Sequence, residues 1–190
     1  MPERYEYPAT EFDEPKKTAA AGKGRGFYFA ALMALAAFVA IIDHVSKKFI
    51  VHHLPTGRTK TIIPGLLRIS HVLNTGAAFS FLADTASPDL VLKGLIFFSL
   101  AAVVIVGILL IRSCNSISLT SIALALILGG AIGNLYDRVV YHYVIDFIEV
   151  KIINYHWPDF NIADSAITIG ACLLMIEIFR SQPEGDGTSA

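Results

Sequence analysis

Long apolar runs alternate with polar connections along this chain, and the length of the runs decides its class. Four of them approach the ~20 apolar residues that a helix needs to cross ~30 Å of hydrocarbon. They are Phe27 to about Val45, Leu90–Ile111, about Leu119–Tyr136 and about Ile162–Phe179. Only Lys93 and Ser99 interrupt the second, and Lys93 is near enough to an end to snorkel to the interface. "IRSCNSIS" joins the second and third runs as in a helical hairpin. Segment 46–89, between the first and second, holds "LRISHVLN", where Leu67, Ile69, His71 and Leu73 alternate with Arg68, Ser70, Val72 and Asn74. That period of two predicts a strand or two lying on the membrane surface. "NTG" then supplies a turn in which Gly76 can take a positive φ. Residues 1–26 and 181–190 are polar and lack apolar periodicity, so both are expected to be disordered tails. The pattern predicts a mostly α membrane protein with four transmembrane helices.

An even number of spans puts both termini on one side. The end of the first span, segment 46–89, the end of the third span and the start of the fourth then share the opposite face. Asp43, Lys47, Asn74, Asn134, Asp137, Arg138, Asp146, Asn161 and Asp164 are thereby expected to converge on one membrane surface. Lys16, Lys17, Lys23, Arg25, Arg112 and Arg180 favour cytoplasmic termini by the positive-inside rule. Lys47, Lys48, Arg58, Lys60 and Arg68 on the opposite face blur that bias.

Composition agrees. Of 190 residues, 54% are hydrophobic and only 16% charged, against ~25% charged in a soluble domain. A net charge of −1 gives no hint of a nucleic-acid partner. The two cysteines, Cys114 in a polar connection and Cys172 in an apolar run, read as unpaired thiols. The length leaves no room for a separate soluble enzyme beside the spans.

Against this apolar background two acids stand out. Asp146 sits in "YVIDFI" with no basic residue within several positions, and Asp164 stands at the mouth of the fourth span. A carboxylate at bilayer depth costs ~2.5–3.5 kcal/mol even on a forgiving insertion scale. Capping the fourth helix explains one polar residue there, Asn161, but not a second carboxylate three residues into the span. Two carboxyls at one hydrocarbon edge cannot both ionise cheaply, so a proton is shared between them. Such a pair suits peptide hydrolysis: one carboxylate takes a proton from water while the other, protonated, hydrogen-bonds the carbonyl oxygen. His52, His53, His71, His142 and His156 form no HExxH or comparable spacing, so no metal and no cofactor are expected. No GxSxG or Cys–His arrangement offers a nucleophile. Read alone, Asp137–Arg138 is an interfacial charge pair, Asp43–Lys47 a solvated i,i+4 salt bridge, and "GGAIG" at 129–133 a close helix contact. A proton-coupled carrier is the rival reading, but the inner halves of the spans are nearly bare of ionisable groups and no repeated halves appear. A purely structural membrane subunit leaves the one-sided gathering of polar residues without a reason.

Four motifs in order, "DHVSK", "NTGAAFS", "GNLYDR…VIDF" and "FNIADSAI", strongly resemble the bacterial lipoprotein signal peptidases (type II signal peptidases) over about Phe27 to Arg180. The resemblance implies an inner-membrane aspartyl protease that cuts the signal peptide from prolipoproteins just before a diacylglyceryl-modified cysteine. On that resemblance Asp146 and Asp164 match the catalytic pair. Asn74, Gly76, Asn134, Asp137, Arg138 and Asn161 match polar residues that shape the site and contact the substrate backbone. Asp43 and Lys47 match a supporting pair. It also implies a small extracytoplasmic β-sheet and a short surface helix over the site, cytoplasmic termini, and a protease domain spanning 27–180. The expected partners are lipidated prolipoproteins and membrane lipids, with globomycin-like cyclic peptides as inhibitors and a monomeric enzyme.

Overall fold

The structure is a computed structural model that describes residues 18–76, 87–153 and 155–180, with side chains described from Gly24 onward. Four helices carry it: α1 (Thr18–His53), α2 (Pro88–Ser113), α3 (Leu119–Val140) and α4 (Ile162–Arg180). All four are long and apolar enough to cross a membrane. Four strands, β1 (Thr59–Ile63), β2 (Leu67–Asn74), β3 (Val144–Ile152) and β4 (Tyr155–His156), form one antiparallel sheet in the order β1-β2-β3-β4.

The later three helices start and stop within a few residues of the expected spans. Ser87 caps α2, accepting from the Leu90 N–H ahead of Pro88 in the first turn. Ser118 and Ser121 form a reciprocal capping box at the start of α3. The first helix departs from expectation at both ends. It begins at Thr18, inside the stretch expected to be a disordered tail, and continues past Val45 to His53, inside the expected surface segment. "TAAAGKG" contains good helix formers, and "SKKFIVHH" holds no breaker before Pro55 ends the helix. The short surface helix is absent from residues 54–76, and the remaining positions where it was expected, 77–86, lie outside the described residues, as do 1–17 and 181–190 of the tails.

Helix α3 is the hub. Its Leu124, Ala125 and Leu128 pack with Leu32 and Ala36 of α1 and Leu110 of α2 in one buried cluster. The "GGAIG" stretch lets the backbones close up. A Cβ on Gly129 would strike the Ala36 carbonyl of α1, and one on Gly130 the Ala163 carbonyl of α4. Gly133 makes room for something else: a Cβ there would stand 2.7 Å from the Asp43 carboxylate. Helix α2, by contrast, has Leu110 as its only fully buried residue and turns most of its apolar surface outward, as a lipid-facing span does.

The sheet grows from the ends of these helices. Strand β3 follows α3 directly, and β2 pairs with it from Leu67↔Val150 to Asn74↔Val144. A bulge between Ile69 and Val72 sets two β2 residues, Ser70 and His71, against one on β3. Both are buried: Ser70 donates to the Asp159 carboxylate, and the His71 ring bonds the Leu54 carbonyl at 2.7 Å. The bulge thereby ties β2 to the end of α1 and to the approach to α4.

Candidate active site

Each of the expected site residues lies where α1, α3 and α4 meet the sheet, on those helices, on β2 or β3, or, as Gly76 and Asn161 do, just beyond their ends. Asp146 is on β3 and is 2% exposed; Asp164 is half-buried in the first turn of α4. Two asparagine amides link them. The Asn161 Nδ2 donates to Asp146 Oδ1 at 2.7 Å, the Asn134 Nδ2 donates to Asp164 Oδ1 at 2.7 Å, and the two amides meet at 3.3 Å. A third asparagine, Asn74 at the end of β2, donates its Nδ2 to Asp146 Oδ2 at 2.9 Å.

These amides are oriented by what holds their oxygens. Asn74 Oδ1 accepts from the Gly76 N–H at 2.9 Å. Gly76 has φ +89°, the left-handed region anticipated for it, and a Cβ there would collide with Leu95 of α2. Asn161 Oδ1 accepts from the Asp164 N–H at 2.9 Å, and Asn134 Oδ1 from the Lys47 ammonium at 3.2 Å. With each oxygen facing a donor, each NH₂ must face an acid. The aspartates thus sit in a nest of fixed donors.

Asn161 and Asp164 also form a capping box, because the Asp164 Oδ2 reaches back to the Asn161 N–H at 3.3 Å. Asp164 is therefore both a capping residue, with one oxygen, and a site residue, with the other. Burial pushes the Asp146 carboxyl up to about 6, the nearby Asp164 charge adding to the effect and the Asn74 and Asn161 amides opposing it.

Under the acids lies a buried ionic network that corrects two readings of the sequence. Asp43 and Lys47 are paired at 2.7 Å but not solvated: both are almost wholly buried. Asp137 pairs with Lys47 at 2.9 Å rather than with its neighbour Arg138, and its carboxylate also accepts the Ile145 N–H beside Asp146. Arg138 instead reaches the Asn134 carbonyl and, at 3.5 Å, Ser99 of α2. The sequence reading missed Asp159 and Ser99 as fasteners; a polar side chain within the apolar run of α2 was the available signal for Ser99. Among the described residues no group of His, Cys, Asp and Glu is arranged to hold a metal ion, and both cysteines are free.

Comparison with known proteins gives a consistent picture. A family model described as signal peptidase (SPase) II matches residues 35–180. A lipoprotein signal peptidase of Pseudomonas paraeruginosa is 42% identical over 149 residues, covering 78% of this chain and 87% of the relative. That of Pseudomonas syringae pv. tomato is 44% identical over 153 residues, covering 80% and 87%. That of Tolumonas auensis is 41% identical over 160 residues, covering 80% and 91%. A bacterial membrane enzyme structure solved by the in meso method at 2.3 Å resolution superimposes with a TM-score of 0.71 at 28% identity, covering 85% of this chain and 94% of that one. A second, at 1.9 Å resolution, gives 0.66 at 31% identity, covering 80% and 95%.

Proposed function

This chain belongs to the signal peptidase II family, a multi-pass bacterial membrane protease that removes signal peptides from prolipoproteins, and on that premise we propose that Asp146 and Asp164 carry the hydrolysis as an aspartyl pair. The observation that carries this reading is the pair of amide links that hold one acid on a strand and the other on a helix end within each other's field.

The roles follow from surroundings. Asp146, buried and with its carboxyl raised to about 6, is the partner that keeps a proton. Asp164 lies in the first turn of α4, where free N–H groups favour an anion, and acts as the base. Asp164 takes a proton from a water between the acids, and that water attacks the scissile carbonyl. Asp146 hydrogen-bonds the carbonyl oxygen as it gains charge and gives up its proton; a proton then passes to the leaving amine. The scissile bond is the one before a diacylglyceryl-modified cysteine, whose acyl chains lie along apolar helix faces at ~0.8 kcal/mol per buried CH₂. Asn74, Gly76, Asn134, Asp137, Arg138 and Asn161 shape the site, and Asp43 and Lys47 support it from below.

The same reading places residues 27–180 as the protease domain of an inner-membrane enzyme. Its termini are cytoplasmic and its site lies at the extracytoplasmic face, with globomycin-like cyclic peptides wedging between the acids of a monomer. Asp146→Asn and Asp164→Asn test it. Each is expected to lower cleavage of a diacylglyceryl precursor in detergent by at least ~10²–10⁴-fold while the protein stays folded, and the unlipidated precursor is expected to resist the native enzyme. Turnover retained by either variant removes the dyad assignment.

A further inference from the structure

Helices α1 and α3 touch where a Cβ on Gly129 would strike the Ala36 carbonyl, and again where Lys47 pairs with Asp137. The contacts advance together along both helices, so the two run parallel toward the aspartates. Between them Ala40, Ile41, Ile132 and Gly133 line an apolar cavity of about 250 Å³. Ala40 offers only a methyl group, too short to fill it. His44 and Tyr136 line its upper end, and their rings meet edge to face at 4.9 Å.

A second cavity, of about 180 Å³, opens beyond the first, and His44 lines both. Its character is opposite. The buried Lys47–Asp137 pair is its floor, the stacked Tyr141 and Tyr143 rings flank it, and exposed Lys48 and His52 stand at its rim. His44, Lys48 and His52 are four residues apart, hence on one face of α1. The floor is already compensated. Lys47 is engaged with Asp43, Asp137 and Asn134, and Asp137 with Lys47 and the Ile145 N–H. Lys48 differs: among the described residues it pairs with no acid.

The two helices thus change from apolar to polar together, from Ile41 to Lys48 on one and from Ile132 to Asp137 on the other. An apolar cleft between spans holds no water, so an acyl chain or another span must fill it. An unpaired ammonium directly above the cleft is complementary to a lipid phosphate. A second span would cover both cavities with apolar side chains and leave that ammonium without a partner.

We propose that the paired cavities seat one phospholipid of the leaflet that the aspartates face. An acyl chain lies along Ala40 and Ile132, and Lys48 and His52 hold the phosphate, with the Tyr141 and Tyr143 hydroxyls as further donors. None of Asn74, Asp146 and Asp164 lines either cavity, so the seat is separate from the acids and backs onto the ion pair that supports them. It stands whichever residues cleave, because its readout is lipid retention.

The full chain, stripped of lipid in detergent, is titrated with dioleoyl phosphatidylglycerol, with dioleoylglycerol and with glycerol phosphate, and the adducts are read by native mass spectrometry. One retained phosphatidylglycerol is expected, with dioleoylglycerol held about five- to tenfold more weakly for want of a phosphate. Glycerol phosphate is not retained. Lys48→Gln, at an exposed position, is expected to weaken phosphatidylglycerol about fivefold and to leave dioleoylglycerol unchanged. Ala40→Phe fills the apolar cavity and is expected to remove the phospholipid adduct, with circular dichroism verifying the fold. Equal affinity for the two lipids, or phosphatidylglycerol binding unchanged in Lys48→Gln, overturns the phosphate seat. Retention of glycerol phosphate alone overturns it in favour of a soluble anion. An adduct kept by folded Ala40→Phe, or a dimer that this variant dissolves, overturns the cleft as a lipid site.

Discussion

Asp43, on the first helix, accepts a hydrogen bond from the backbone N–H of Ala163, the second residue of the last, at 2.9 Å. A carboxylate from one span thus satisfies a free donor at the mouth of another, where no water of the hydrocarbon region could do so. Its second oxygen is held by Lys47 at 2.7 Å. The start of α4, and with it Asp164, is positioned by a buried acid far away in the chain.

Lys47→Met leaves Asp43 and Asp137 buried without their cation. A loss of about 3–5 kcal/mol is expected, seen as a large drop in thermal midpoint in detergent. Adding Asp43→Asn and Asp137→Asn to the same variant recovers much of it, because the uncompensated charges are gone. If Lys47→Met unfolds at the native temperature, the network contributes nothing to stability.

Asn161 has two separable tasks, capping α4 and donating to Asp146. Asn161→Ala is expected to lose about 1 kcal/mol of stability together with most activity. Asn161→Ser restores a cap but not the amide bridge. Stability should therefore return without turnover, measured by unfolding and by precursor cleavage on the same sample. Recovery of both would show that the bridge is dispensable.

A Cβ on Gly130 runs into the Ala163 carbonyl, at the helix end that carries Asp164. Gly130→Ala is expected to cost about 1–3 kcal/mol by forcing α3 and α4 apart and to depress kcat more than KM. Gly107, on α2, has nothing near its missing Cβ. Gly107→Ala is the control, neutral or slightly stabilising through helix propensity.

The proton on Asp146 gives pH dependences of known sign. Its carboxyl is raised from 3.8 to about 6 by burial, so the folded protein holds a proton that the unfolded chain has already released. That contribution to stability is complete below 3.8 and is lost as pH rises through about 6. kcat/KM should fall on the alkaline side with the macroscopic titration of the pair, to which Asp146 gives this direction. Asp146→Asn should flatten the same part of the unfolding profile; an unchanged slope assigns the titration elsewhere.

The spans were legible because a bilayer imposes one length and one composition on every crossing helix. Span parity alone brought Asp146, Asp164, Asn74, Asn134 and Asn161 to one surface, and the structure has them in contact. What the sequence hid were partners distant in the chain. The i,i+4 spacing of Asp43 and Lys47 is the same for a solvated and a buried pair; only Gly133, Asp137 and Ala163, all on other helices, make it buried. Asp137 beside Arg138 suggested a local pair for the same reason. Helix α1 outruns the first apolar run, Phe27 to about Val45, because the end of an apolar run marks the end of a span and nothing in the polar stretch that follows stops a helix before Pro55. The role of Asp164 was seen as a choice between cap and acid, and its two oxygens divide the tasks.

Lys47 can only donate. It presents its protons to Asp43, Asp137 and the oxygen of Asn134 at once, and an ammonium has no lone pair with which to receive the amide the other way round. Asn134 is accordingly locked like a compass needle, and the pull on its oxygen polarises the NH₂ that grips Asp164. A cation that never touches the acid therefore sets how tightly that acid is held, through a single rigid amide.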